Sequence, residues 1–215
     1  MGIVLQSKDY VAYLKKAAEK IAASRDYISD LDAVTGDGDH WANINMGFEN
    51  VLAAFDDLEK LPIDALLKKV GMILMSKVGG SSGILYGGAY IAASKALAGK
   101  VEMGWEDICL SLEAMVNDMM ERGKAKPGYK TMIDSLYPAA AAFRQCLSEG
   151  KSEADTVTTV RKAAVDGAEA TRNMEAVKGR ASYQVNKGVG HLDPGAVTMS
   201  YQLECLCDLL SEKLR

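Results

Sequence analysis

No apolar run in this 215-residue chain reaches the ~18 residues that a membrane-spanning helix needs. Basic residues are not in excess either. Lys+Arg 25 against Asp+Glu 29 gives a net charge of −4 and a pI of about 5.3. That balance excludes a broad polyanion-binding surface, so neither nucleic acid nor a membrane is an expected partner. The N-terminal stretch MGIVLQSKDY lacks the basic start and long apolar core of a secretion signal. Residue 6 is Gln, which breaks the myristoylation pattern after Gly2. A cytoplasmic protein is expected. The four cysteines, Cys109, Cys146, Cys205 and Cys207, form no C-x-x-C pair. Cys205 and Cys207 stand two apart in a helical pattern and so point in different directions. Reduced core thiols are expected, not a disulfide framework or a metal site. Strand-period alternation, fixed-period repeats and low-complexity linkers are also missing, which argues against a β fold or a solenoid. The chain has no Walker A loop and no G-x-G-x-x-G, so the two commonest phosphate-binding signatures do not apply.

What is present is helical. Hydrophobic residues are 48% and charged residues 25%, an ordinary globular composition. Apolar residues recur near helical spacing over 7–30, 41–58, 63–78, 81–99, 104–122, 131–149, 152–172 and 194–213. Ser7 and Ser152 are plausible helix starts, Pro194 suits a first helical position, and Pro138 should kink its helix. TVTTV at 156–160 is β-branched, but it runs straight into RKAAVDGAEA and is expected to be helical. One all-α domain of about eight helices over residues 1–215 is the economical fold. Gly-, Asp- and Ser-rich connections are expected at 32–40, 79–88 and 178–195, with a fourth at 123–131.

Three connections carry possible chemistry. Asp32, Asp37 and Asp39 lie within eight residues, and His40 follows. Clustered carboxylates repel one another unless a cation sits among them, and hard oxygen ligands suit Mg²⁺ or Ca²⁺. An EF-hand is excluded, because Trp41 and Ala42 fall where a ligand and a Gly are required. The same run also reads as a solvated Asp-rich cap. Val78-Gly79-Gly80-Ser81-Ser82-Gly83 precedes a helix, where free N–H groups and the positive dipole end favour an anion; close helix packing through small residues is the other reading. Arg180 follows Gly179 and can face a phosphate bidentately. Asp193-Pro194-Gly195 reads as a turn into the last helix.

Together these stretches resemble the nucleotide-binding L subunit of dihydroxyacetone kinase. The matching segments are LDAVTGDGDHWANINMGF at 31–48, SKVGGSSGILYGGA at 76–89, RGKAKPGYKTMIDSLYPA at 122–139 and GRASYQVNKGVGHLDPGA at 179–196. They stand in the family's order across nearly the whole chain. The resemblance implies an eight-helix antiparallel barrel with ADP or ATP and two Mg²⁺ at one end. It implies Asp32, Asp37 and Asp39 as metal ligands. It implies nucleotide contacts at His40, Trp41, Ala42, Asn43, Ser81, Ser82, Gly123, Met132, Arg180, Asp193, Pro194 and Gly195. No residue of the chain is assigned a covalent catalytic role.

The implied activity is that of a dihydroxyacetone (glycerone) kinase subunit. The bound nucleotide relays a phosphoryl group from a phosphohistidine phosphocarrier of the phosphotransferase system to dihydroxyacetone on a separate K subunit. The alternatives are an ATP-dependent subunit serving another short keto-sugar and a nucleotide-sensing regulatory module. Two positions depart from the family pattern: Trp41 replaces a Gly after the Asp-His pair, and Tyr129 replaces the Asp of P-G-D-K-T. Trp41 is expected to stack on adenine or fill the barrel mouth.

Overall fold

The computed structural model describes residues 2–215. Ten α-helices are present among them: α1 Ser7–Ala23, α2 Arg25–Thr35, α3 His40–Leu52, α4 Phe55–Leu58, α5 Ile63–Lys77, α6 Gly80–Ala96, α7 Trp105–Gly123, α8 Ile133–Ser148, α9 Glu153–Ala170 and α10 Pro194–Lys213. A two-residue antiparallel pair, β1 Val4–Leu5 with β2 Met103–Gly104, ties the N-terminal segment to the start of α7. It is too short to show in any alternation of the sequence.

The helices follow their apolar spacing. In α1, Tyr10, Val11, Leu14, Ala17, Ala18 and Ile21 form the buried stripe. In α9 the β-branched run is helical because its hydroxyls are absorbed locally. Thr156, Thr158 and Thr159 each donate to the carbonyl four residues back, at 2.8, 3.0 and 2.7 Å. Ser152 caps that helix by accepting from the Asp155 amide at 3.1 Å.

Eight helices close a ring: α1 packs on α3, α3 on α5, and then α5 through α10 pack in succession until α10 returns to α1. The interior is filled by side chains such as Leu14, Phe48, Leu66, Tyr86, Leu136 and Phe143, all buried. A cavity of about 20 Å³ among Tyr10, Tyr13, Tyr86, Tyr90 and Gln202 has room for about one water. The ring is therefore a packed core, and space for a ligand lies at its end.

Three details differ from the sequence pattern. The helix expected over 7–30 breaks at Ser24, whose hydroxyl donates to the Lys20 carbonyl and whose amide donates to Ile21. The chain restarts as α2, so Asp32 sits in a final helical turn and not in a loop. The segment 41–58 divides at Ala53 and Ala54 into α3 and the single turn α4. The glycine-rich segment expected as a connection at 79–88 is helical from Gly80. Its glycines serve close packing: a Cβ on Gly87 would lie 2.7 Å from the Gly71 carbonyl and 2.6 Å from the Met75 Cβ, so α6 rests directly on α5.

Candidate functional site

A cleft of about 590 Å³ opens at one end of the ring. Its lining shows why. It takes residues from the N-terminal turns of α3, α6, α8 and α10, and from the C-terminal ends of α2 and α7. Neighbouring helices alternate in direction, so four N-termini converge on one opening. Each brings a partial positive charge. The first turn of α6 receives no side-chain cap, which leaves the amides around Ser81 and Ser82 turned to the cleft.

The opposite wall is acidic. One carboxylate oxygen from each of Asp32, Asp37 and Asp39 lies within 4.8 Å of the others. Asp32 is buried; Asp37 and Asp39 are exposed. The Asp32 carboxylate accepts the His40 amide at 2.9 Å, which folds the 36–39 turn back over the end of α2. Gly36 makes this possible, since a Cβ there would stand 2.1 Å from the Asp32 Oδ1. Three hard oxygens so close, open to solvent on one side and without a full cage, match the way Mg²⁺ is held with phosphates completing its shell.

Cations complete the cleft: Arg122, Lys130, Lys178 and Arg180 all line it. Arg180 Nη2 reaches the Asp37 Oδ2 at 2.5 Å. Lys130 is buried, and burial pushes its ammonium pKa down against the pull of Asp193. Asp193 caps α10 by accepting the Ala196 amide at 2.7 Å. Loss of water raises its carboxyl to about 7, with that amide and Lys130 opposing the rise. Behind the cleft, the His40 ring meets the Thr198 hydroxyl at 2.9 Å, and Tyr86 reaches the same hydroxyl at 3.3 Å. Burial lowers the His40 pKa, so a neutral ring is favoured there.

Residues 34–208 match a family model described as the DAK2 domain. The chain belongs to this family. It is 32% identical over 202 residues to the PEP-dependent dihydroxyacetone kinase ADP-binding subunit DhaL of Escherichia coli, covering 94% of this chain and 96% of that protein. It is 37% identical over 201 residues to the PTS-dependent counterpart of Lactococcus lactis, with the same coverage. The fold is shared with the dihydroxyacetone kinase of C. freundii at a TM-score of 0.71 and 23% identity, over 92% of this chain and 34% of that one. That enzyme has also been solved in complex with AMP-PNP and Mg²⁺.

Within this DAK2-domain chain, Asp32, Asp37, Asp39, His40, Asn43, Ser81, Ser82, Gly123, Met132, Arg180, Asp193, Pro194 and Gly195 all line the one cleft. Trp41 and Ala42 do not. The Trp41 indole donates to the Ile21 carbonyl at 3.0 Å, and its ring carries the Arg25 guanidinium at 4.9 Å. It therefore neither stacks in the cleft nor fills the mouth; it caps the break between α1 and α2. Tyr129 also lies off the cleft, packed on the core beneath Lys126. Lys130, Lys178 and Arg122 are cleft residues that motif reasoning passed over. Their signal was the clustering of cations in the same connections as the glycines.

Proposed function

We propose that this chain is the nucleotide- and Mg²⁺-holding subunit of a cytoplasmic dihydroxyacetone kinase. The observation that carries this is the polarity of the cleft. Three clustered carboxylates, one of them paired with Arg180, share a space that admits a nucleotide with the uncapped start of α6 and the cations Arg122, Lys130 and Lys178. A bare metal site would need no cations, and a bare anion site would exclude the carboxylates. A metal–polyphosphate satisfies both walls at once.

In this reading residues 1–215 act as one domain. Asp32, Asp37 and Asp39 hold two Mg²⁺. Ser81, Ser82 and Arg180 hold phosphates of ADP or ATP, while His40, Asn43, Gly123, Met132 and Asp193 to Gly195 surround the rest. Mg²⁺ bound there supplies charge neutralisation for phosphoryl transfer. The protein's part is positioning, and no residue of the chain is assigned a covalent role. The acceptor sugar is brought by a separate K subunit, and a phosphohistidine phosphocarrier recharges the nucleotide in place. The names of the Escherichia coli and Lactococcus lactis relatives support the same assignment.

Calorimetry tests it. Mg-ADP should bind the wild-type chain, and Asp37→Asn should weaken binding by several kcal/mol, since it removes one charged ligand from a site with few. Unchanged affinity in Asp37→Asn would remove the metal assignment. No binding by the wild type would remove the function.

A further inference from the structure

We propose that Lys130 is a positioning residue: its buried ammonium closes the base of the loop 172–190 and thereby sets where Arg180 stands in the cleft. The inference rests on the nucleotide reading above for its affinity measurements, and on the structure alone for its exchange measurements.

Lys130 is 1% exposed. A lysine is rarely buried without strong partners. Here Nζ donates to two main-chain carbonyls, those of Thr171 and His191. These residues flank the loop, one following α9 and the other preceding α10. The base carries further rungs: the Asp193 amide donates to the Thr171 hydroxyl at 3.0 Å, and the Gly190 amide to the Arg172 carbonyl at 2.8 Å. The loop also wraps the lysine stem. Gly188 has φ +71, and a Cβ there would come within 3.0 Å of the Lys130 Cε. Lys130 itself sits at φ +60, a conformation a non-glycine residue holds only when its surroundings impose it.

The far side of the loop is fastened differently. Arg180 meets Asp37, and the Gln184 side-chain Nε2 donates to the Val34 carbonyl at 2.6 Å, both at the exposed surface. Exposed ion pairs contribute little. Charge-assisted bonds from a desolvated ammonium contribute more. Between base and mouth, the Val177 amide donates to the carbonyl of Tyr129, the residue before Lys130, at 3.2 Å, and the Ala176 amide to the Lys187 carbonyl at 2.9 Å. Lys130 fastens the base of this frame, and Arg180 takes its position from the frame.

The experiment uses Lys130→Met, Arg180→Gln, the double variant and the wild type. Hydrogen exchange on the nucleotide-free protein should quicken across 172–190 in Lys130→Met, with α5 to α7 unchanged. Mg-ADP affinity should fall about tenfold to a hundredfold, the range for a lost charge-assisted contact. Adenosine binding should stay constant. Because Lys130 acts through Arg180, the double variant should bind Mg-ADP no more weakly than Arg180→Gln alone. Additive losses, or wild-type exchange in the Lys130→Met loop, would overturn the proposal. Should Lys130→Met not fold, Lys130→Gln takes its place, and the wild type gives a separate check. The amides of Gly190 and Asp193 at the base must exchange more slowly than those around Arg180; equal rates would overturn the proposal. If the wild type binds no Mg-ADP, the nucleotide reading fails while the exchange result still decides the role of Lys130.

Discussion

Arg180 spans the cleft mouth to Asp37, placing a guanidinium 2.5 Å from an oxygen of one of the three clustered carboxylates. Both side chains are solvent-accessible, so the pair is weak and exchangeable. It occupies a carboxylate that a metal ion would use, and it parks an arginine that a phosphate would attract. Metal and nucleotide should therefore arrive as linked events: the metal takes Asp37, and Arg180 passes to a phosphate.

Arg180→Gln should separate the two. Without nucleotide, the variant should bind Mn²⁺ or Mg²⁺ slightly more tightly, by up to about fivefold, because a competing cation worth at most ~1 kcal/mol is gone. With nucleotide, the same variant should bind more weakly. Mn²⁺ titration followed by electron paramagnetic resonance measures the first arm and calorimetry the second. Equal metal affinity in both proteins would show that Arg180 does not compete for the site.

Asp193 predicts a pH effect on the nucleotide-free protein. Its folded carboxyl titrates near 7, above the ordinary aspartate value, because burial disfavours the charged form. The folded state then holds a proton that the unfolded state has released. The associated stability is fully present below about pH 4 and is lost as pH rises toward 7. Asp193→Asn keeps a capping acceptor for the Ala196 amide and removes the titration. The variant should gain on the wild type between pH 5 and pH 8, and melting temperatures at the two pH values measure the gain. Parallel pH profiles would show that Asp193 is not the group responsible.

Trp41 supplies a contrast with the cleft. Its indole reaches the Ile21 carbonyl at the end of α1 and its ring lies against Arg25. Replacing it by the family's glycine should cost stability, about 0.5 kcal/mol from helix propensity alone and more from the lost packing. Mg-ADP affinity should stay within about twofold. A large loss of affinity with unchanged stability would return Trp41 to the nucleotide site.

These outcomes follow the division between what local pattern can and cannot show. The helices were legible because the stripe from Tyr10 to Ile21, and its equivalents in the other helices, repeats at 3.6 residues whatever it packs against; their closure into a ring was implied only by the family resemblance. Asp32, Asp37 and Asp39 were legible because their proximity in space is already proximity in sequence. The placement of Trp41 was not, because it depends on a carbonyl freed where α1 breaks at Ser24, and no local composition marks that break. Lys130 was hidden for a stronger reason. Its partners lie 41 and 61 residues further along the chain, so an ordinary lysine in a loop becomes a buried brace only after the ring has closed.

The proposed division of labour is testable with the whole assembly. The chain has two histidines. The His40 ring is buried against Thr198, and the His191 carbonyl holds Lys130 at the base of the loop. In the proposed assembly the acceptor is presented by another subunit. Alone, the chain should not phosphorylate dihydroxyacetone at a useful rate. Loaded with ATP and mixed with a K subunit, it should give about one turnover per chain. Further turnover then requires either a phosphocarrier or nucleotide exchange. A coupled assay with excess free ATP, run with and without the phosphocarrier, separates these routes. Sustained turnover on free ATP would make this an ATP-dependent kinase subunit, in which ADP leaves the cleft after each cycle. Turnover by the chain without any partner would refute the division itself, because it would require an acceptor site within this one ring of helices.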